Sequence, residues 1–502
     1  MTRATSTLAL CASIALLTAA CARDAAWRLP ENDDGRCNVA ANTDAPFIDE
    51  IGAGVASIAY VEFTERGNLH NRRCTEKVYE YLETEIGTAR NGVALFVYVH
   101  GWKHDADPSD GNVADFAATL ERYAKAATAA PGPASGDAFP GTVVRVNGAT
   151  KPRKVIGLYV GWRGRVFKGF PFRYVENLTY WNRKTVAQEI GKGGATELLL
   201  TLRTILQCGT RGHLGECTPQ PDNIYLIAGH SFGAGIVLSA LNEHMLAAIE
   251  QATPAETGVG AETLAFNDAL VLINPAIEAN QLLQSKELIA TTEFDDRQDV
   301  LMHIISSRGD RATHVAFPLG QKLRSVFWNK KVLTRLTKAH GDCPGDSGVT
   351  GEPDSMPIEL RESELLSTTV GNYPPFWTGL LKHTGDDWQY QSLTGSNCPR
   401  DLEGRPVRNH IYAPRNSPIQ NIYTDANFIE DHSKIFNERL LAYVAAVVSE
   451  SLALPRRQAE QVAPECFSPT HRHATNRVSG DYEGLSFDFR ACFAHFLSEF
   501  RR

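Results

Sequence analysis

Two stretches decide the fold: Val93–Trp102, VALFVYVHGW, and Ile224–Gly233, IYLIAGHSFG. Each is an apolar run of β-formers, too short for a buried helix, that stops at a glycine-containing turn. The second leads into Ala234–Glu250, which reads as a helix with Gly233 and Gly235 at its start. A strand apolar on both faces belongs in a parallel sheet covered on both sides. The pattern repeats outward. Val55–Phe63, Val155–Val160, Ala269–Ile273, Val300–Ile305 and Ile419–Thr424 read as further strands. Thr75–Ile86, Asn112–Ala127, Thr185–Leu206 and Ser433–Ser449 read as helices. With no two-residue hairpin turn in view, the expectation is an α/β fold with a mainly parallel sheet and helices on both faces. Residues 312–418 break the alternation and read as a large lid-like insertion between core segments 55–311 and 419–450. Residues 21–54 read as a linker and 451–502 as a C-terminal extension.

The chain has 502 residues, 43% of them hydrophobic and 22% charged, with 40 Gly and 25 Pro, which excludes a collagen, a coiled-coil rod or a disordered chain. A net charge of −8 gives no general attraction to nucleic acid, so none is expected as a partner. No run reaches the ~18 apolar residues of a membrane span.

Arg3, the apolar stretch Leu8–Leu17 and the small residues Thr18-Ala19-Ala20 read as a secretory signal over residues 1–20. The sequence ending at Cys21 resembles a bacterial lipoprotein box, with Thr18 where that box has Leu. The resemblance implies acylation of Cys21 and membrane association through an N-terminal lipid anchor, on the outer membrane or in the periplasm. The alternative is an ordinary cleaved signal with Cys21 incidental. Eight further cysteines follow, an even number that in an exported chain reads as disulfides. Sequential neighbours are the expected pairs: Cys208–Cys217, Cys343–Cys398 and Cys466–Cys492.

Gly229-His230-Ser231-Phe232-Gly233 is a G-x-S-x-G between a strand and a helix, the context in which such a serine sits on a tight turn with strained backbone. The N–H of Phe232 then points to where an oxyanion would form. Together with strand–His100-Gly101-Trp102 and strand–Gly161-Trp162-Arg163-Gly164, the chain resembles the α/β-hydrolase superfamily in its lipase- and esterase-like branch, over about residues 55–449. The resemblance implies an oxyanion hole from the N–H groups of Trp102 and Phe232, a structural role for His100, and the chain order nucleophile, acid, histidine. It also implies ester hydrolysis of a small-molecule or lipid substrate, with no metal or organic cofactor.

A serine needs an imidazole to take its proton, and the imidazole needs a carboxylate to orient it. Asp310, in the loop after Val300–Ile305, leads as the acid, with Glu278 as runner-up. Among His314, His340, His383, His410, His432, His471 and His473, the base is expected at His432, directly before the last core helix. The aromatics Trp162, Phe167, Phe170, Phe172, Tyr174, Tyr180 and Trp181, and later Phe327, Trp328, Tyr373, Phe376 and Trp377, are either local packing or a pocket wall. Acyl transfer, peptide hydrolysis and a non-catalytic envelope binding protein stay open beside ester hydrolysis, because fold and triad do not set the acceptor.

Overall fold

The computed structural model describes residues 26–28, 47–129, 139–146, 149–166, 176–212, 217, 220, 222–254, 261–262, 268–294, 298, 300–325, 332–338, 355–385, 387–396, 398–407, 409–453, 464–469 and 485–501. Residues 1–20 and Cys21 therefore lie outside the described residues. Ten strands form the main sheet: β1 (Ile48–Ile51), β2 (Ala56–Phe63), β3 (Val93–Val99), β4 (Lys154–Trp162), β5 (Ile224–His230), β6 (Ala269–Ile273), β7 (Met302–Ser307), β8 (Gly379–Thr384), β9 (Asp387–Ser392) and β10 (Ile419–Thr424). Their spatial order is β1-β2-β4-β3-β5-β6-β7-β10-β8-β9. Every pair from β2 to β8 is parallel, and only the outermost pairs, β1 with β2 and β8 with β9, are antiparallel.

The helices are α1 (Arg72–Thr88), α2 (Gly111–Ala129), α3 (Tyr180–Ile190), α4 (Thr196–Cys208), α5 (Phe232–Glu250), α6 (Leu283–Thr291), α7 (Phe317–Ser325), α8 (Glu362–Ser367), α9 (Glu438–Ala453) and α10 (Phe489–Arg501). The apolar strands now make sense residue by residue, because successive side chains face opposite ways. In β3, Leu95, Val97 and Val99 join a core with α1, α4 and α5. Ala94, Phe96 and Tyr98 join another with α2, α9 and α10. Among the described residues α5 is the one helix long and apolar enough to cross a membrane, yet residues such as Ile236, Val237 and Leu241 are buried in the first core. Strand order reverses between β3 and β5, and a crevice opens outside the carboxyl ends of such strands.

The structure corrects four boundaries. Part of the linker is a strand: β1 pairs with β2, and the Trp27 and Arg28 N–H groups donate to the Glu62 carboxylate. The expected helix over Thr185–Leu206 is interrupted by a wide turn at Gly191–Ala195, where three glycines weaken the helix and Gly194 N–H donates to Gly67 O. The last core helix starts at Glu438, not Ser433. Asp431 takes the N–H groups of Ser433 and Lys434 into a local turn, and the Asn437 side chain then caps the helix through Leu440 N–H. The fourth correction is the largest. Residues 379–392 of the insertion are β8 and β9, members of the core sheet. Thr384 pairs with Asp387 across a two-residue connection that starts at Gly385, φ +64°, so a tight hairpin is present after all.

Cys208–Cys217 and Cys466–Cys492 are disulfides, the second tying α10 to the turn Pro464–Cys466. Cys74 and Cys398 are also disulfide-bonded. The expected partner of Cys398, Cys343, lies outside the described residues.

Candidate active site

β5 ends in a turn that leaves Ser231 at φ 55°, ψ −120°, before α5 begins at Phe232. A non-glycine residue held there costs on the order of 1–3 kcal/mol and persists only when its surroundings over-determine it. They do: Ser231 N–H donates to Ile273 O, and its carbonyl accepts from Gly235 and Ala276. The turn also needs glycine for closeness. A Cβ on Gly233 would strike the Val99 and His100 carbonyls, and one on Gly101 would come within 2.8 Å of Ser231 Cβ. The turn after β3 thus lies directly against the turn after β5.

His100 is fully buried and holds that first turn. Its Nδ1–H donates to Gly101 O, its Nε2 accepts from Trp162 N–H, and Trp162 Nε1–H donates back to His100 O. Burial pushes its pKa down to about 3, so it stays neutral. Trp102 and Phe232 sit side by side, ring centroids 6.2 Å apart, and their backbone N–H groups have no acceptor among the described residues.

The structure brings Ser231, His432 and Asp310 into one chain of hydrogen bonds. Ser231 Oγ lies 2.7 Å from His432 Nε2, and His432 Nδ1 lies 2.8 Å from Asp310 Oδ2. A carboxylate only accepts, so Nδ1 carries the proton and Nε2 is free to receive the serine's. Asp310 is fully buried, the His432 side chain is 22% exposed and Ser231 is 2% exposed, so the bonded chain is enclosed at both ends and meets solvent at the imidazole. Burial raises the Asp310 pKa, but the His432 charge and bonds from His432 and Thr313 outweigh it, leaving the carboxyl below its usual range.

Asp310 is held by more than His432. Its Oδ1 accepts the N–H groups of Ala312 and Thr313, and Thr313 Oγ1–H donates to Oδ2 at 2.6 Å. Asn372, from the insertion, donates Nδ2–H to Thr313 Oγ1, which leaves that hydroxyl's own hydrogen for Asp310. Ser307 Oγ–H ties the histidine loop to β7 by donating to the Ile429 carbonyl at 2.7 Å, with the Asp425 carbonyl in reach of the same hydrogen at 2.9 Å. Thr313→Val is expected to lower stability by about 1.5–3 kcal/mol in urea unfolding near neutral pH, since a hydrogen bond to a buried charge is lost. Asp310's depressed folded pKa gives stability present above the usual carboxylate range and lost as pH falls through it. The difference between Thr313→Val and wild type therefore shrinks in acid.

Glu278 is not brought to His432. It is ion-paired with buried Lys184 and accepts Gln321 Nε2–H at 2.7 Å. Arg308, two residues before Asp310, pairs with Glu403. His314 is exposed, His410 is buried against Trp377 O, and His383 lies beside Trp388. His340, His471 and His473 lie outside the described residues, as do Phe167, Phe170, Phe172, Tyr174, Phe327 and Trp328. Trp162 and Phe376 are buried packing. Tyr180 packs among Trp102, Phe232 and Phe317 next to the serine turn. A cleft of about 550 Å³, lined by Tyr373, Trp377, Tyr423 and Asn372 among others, has neither Ser231 nor His432 in its wall. Among the described residues no group of three or more His, Cys, Asp or Glu is placed to hold a metal ion.

Sequence reasoning missed Thr313, Asn372 and Ser307. Thr313 had a cue, being three residues after an acid that opens a helical turn. Asn372 had none, because its contact crosses 59 residues. Comparisons with known protein families, curated proteins and solved structures return no match.

Proposed function

We propose that the chain is a serine hydrolase of the α/β-hydrolase type that cleaves carboxylic esters. The observation that carries this reading is the bonded series Ser231–His432–Asp310, with Ser231 on a strained turn at the strand-order reversal. Ser231 Oγ attacks the ester carbonyl as its proton passes to His432 Nε2, and Asp310 stabilises the imidazolium. The N–H groups of Trp102 and Phe232 stabilise the oxyanion. Collapse expels the alcohol, which takes the proton from His432. Water activated by the same imidazole then releases the acid and restores Ser231.

Ester is favoured over amide, and water over another acceptor, by the resemblance alone, so acyl transfer and peptide hydrolysis use the same site in the same way. A non-catalytic binding protein has no need for the complete relay. The disulfides favour an oxidising compartment, which supports export to the cell envelope. Cys21 is proposed as the lipid anchor, whereas Leu365, Val370 and Phe376 of the insertion are buried in the first core and belong to no movable lid.

A fluorophosphonate probe tests the enzyme reading. The folded wild type is expected to label on Ser231, and Ser231→Ala and His432→Ala are expected not to label. Labelling elsewhere, or none on folded wild type, overturns the assignment.

A further inference from the structure

We infer that His230, the residue before Ser231, is a positioning residue that fixes the backbone of His432. His230 Nε2 lies 2.7 Å from the carbonyl oxygen of His432. A carbonyl only accepts, so Nε2 carries the proton and Nδ1 is a bare lone pair. The residue is 1% exposed, and burial, reinforced by the His432 charge, holds its pKa well below the usual histidine range. Nδ1 has no hydrogen-bond partner among the described residues and faces Gly101, where an added Cβ would stand 2.9 Å away. The ring's one polar contact is thus spent on His432.

The inference rests on the proposed roles of Ser231 and His432. Their separation of 201 residues puts nucleophile and base on independent loops. The Ser307 tether grips the base loop upstream at Ile429, and Asn437 Nδ2–H holds it downstream by donating to Lys434 O. His230 grips it at His432 itself. Because His230 and Ser231 are adjacent in one rigid turn, the clamp and the nucleophile share a frame. The Oγ–Nε2 distance is then set by a short closed ring of contacts instead of by two distant loops. A misplacement of about 1 Å between reacting groups costs roughly 10²-fold in rate.

The test uses the full-length protein with His230→Leu, which keeps bulk and loses the donor, and His230→Gln, whose amide Nε2 reaches the same place. For p-nitrophenyl acetate, His230→Leu is expected to lose about 10- to 100-fold in kcat with KM changed less than about 3-fold, and His230→Gln to stay within about 5-fold of wild type. Both variants matching wild type, or both falling equally, overturns the inference. If wild type neither turns over nor labels on Ser231, the functional reading fails separately. The clamp is then read by NMR from the His432 Nδ1 proton. That signal is expected to broaden or vanish in His230→Leu and persist in His230→Gln, and an unchanged signal in His230→Leu overturns the clamp.

Discussion

Ser231→Ala is expected to lower kcat for a short-chain aryl ester by about 10⁵- to 10⁶-fold, the scale on which serine triads lose rate when the nucleophile is removed. The loss is that large because the imidazole and the carboxylate have nothing left to activate. Whatever acceleration survives comes from the oxyanion N–H groups and substrate binding. Folding is expected to be nearly untouched. The bonds that hold position 231 run through its backbone, to Ile273, Gly235 and Ala276, and alanine keeps all three. Product release followed at 405 nm, with the melting temperature measured alongside, gives both numbers. Retained turnover would sink the whole assignment. A dead Ser231→Ala beside a fully active His432→Ala would sink only the choice of histidine.

Lys286→Met is expected to stabilise the protein by about 3–5 kcal/mol at pH 7, taking ~1.4 kcal/mol for each pKa unit. Lys286 lies on α6, is 3% exposed, and its Nζ has no hydrogen-bond partner among the described residues. Leu282, Leu283, Ile289 and Ala290 of the same stretch are buried in the first core. Burial pulls the amine from its ordinary 10.5 down to about 7. Between those two values the unfolded chain binds a proton that the folded chain refuses, so stability falls as pH drops from about 10.5 to about 7 and then levels. Methionine has the same length and no charge, and removes the penalty. Urea unfolding of both proteins from pH 7 to pH 10 is expected to show the gap closing as pH rises. A Met variant no more stable than wild type at pH 7 would show that the amine is solvated or paired in solution.

Most of what positions the site is readable in the chain, because the cues are local. The runs ending at His100 and His230 are apolar on both faces, as a covered parallel strand must be. The Gly-x-Ser-x-Gly spacing follows from the close approach of β3 and α5, which allows no side chain at Gly233. Chain order and the neighbouring elements point to Asp310 and His432, and both are hydrogen-bonded in series with Ser231. What stayed hidden depends on distance in sequence. The Asn372–Thr313 contact leaves no periodic trace. β8 and β9 were obscured because two six-residue strands in a Pro-, Gly- and aromatic-rich stretch resemble loop, although the Gly385-Asp386 pair between Thr384 and Asp387 is a hairpin signature. The start of α9 was misplaced because Asp431 competes for the N–H groups that would have begun the helix.

The β8–β9 hairpin has a consequence for any attempt to trim the chain. It covers the far side of β10, whose residues Ile419, Ile422 and Tyr423 are buried. A shortened protein lacking residues 312–418 would leave β10 (IQNIYT) as a bare sheet edge, with a row of unpaired N–H and C=O groups beside apolar side chains. Such an edge is a template for strand pairing between molecules. The segment that looks most dispensable in the sequence therefore covers that edge, and removing it is expected to yield aggregate before it yields a smaller folded protein.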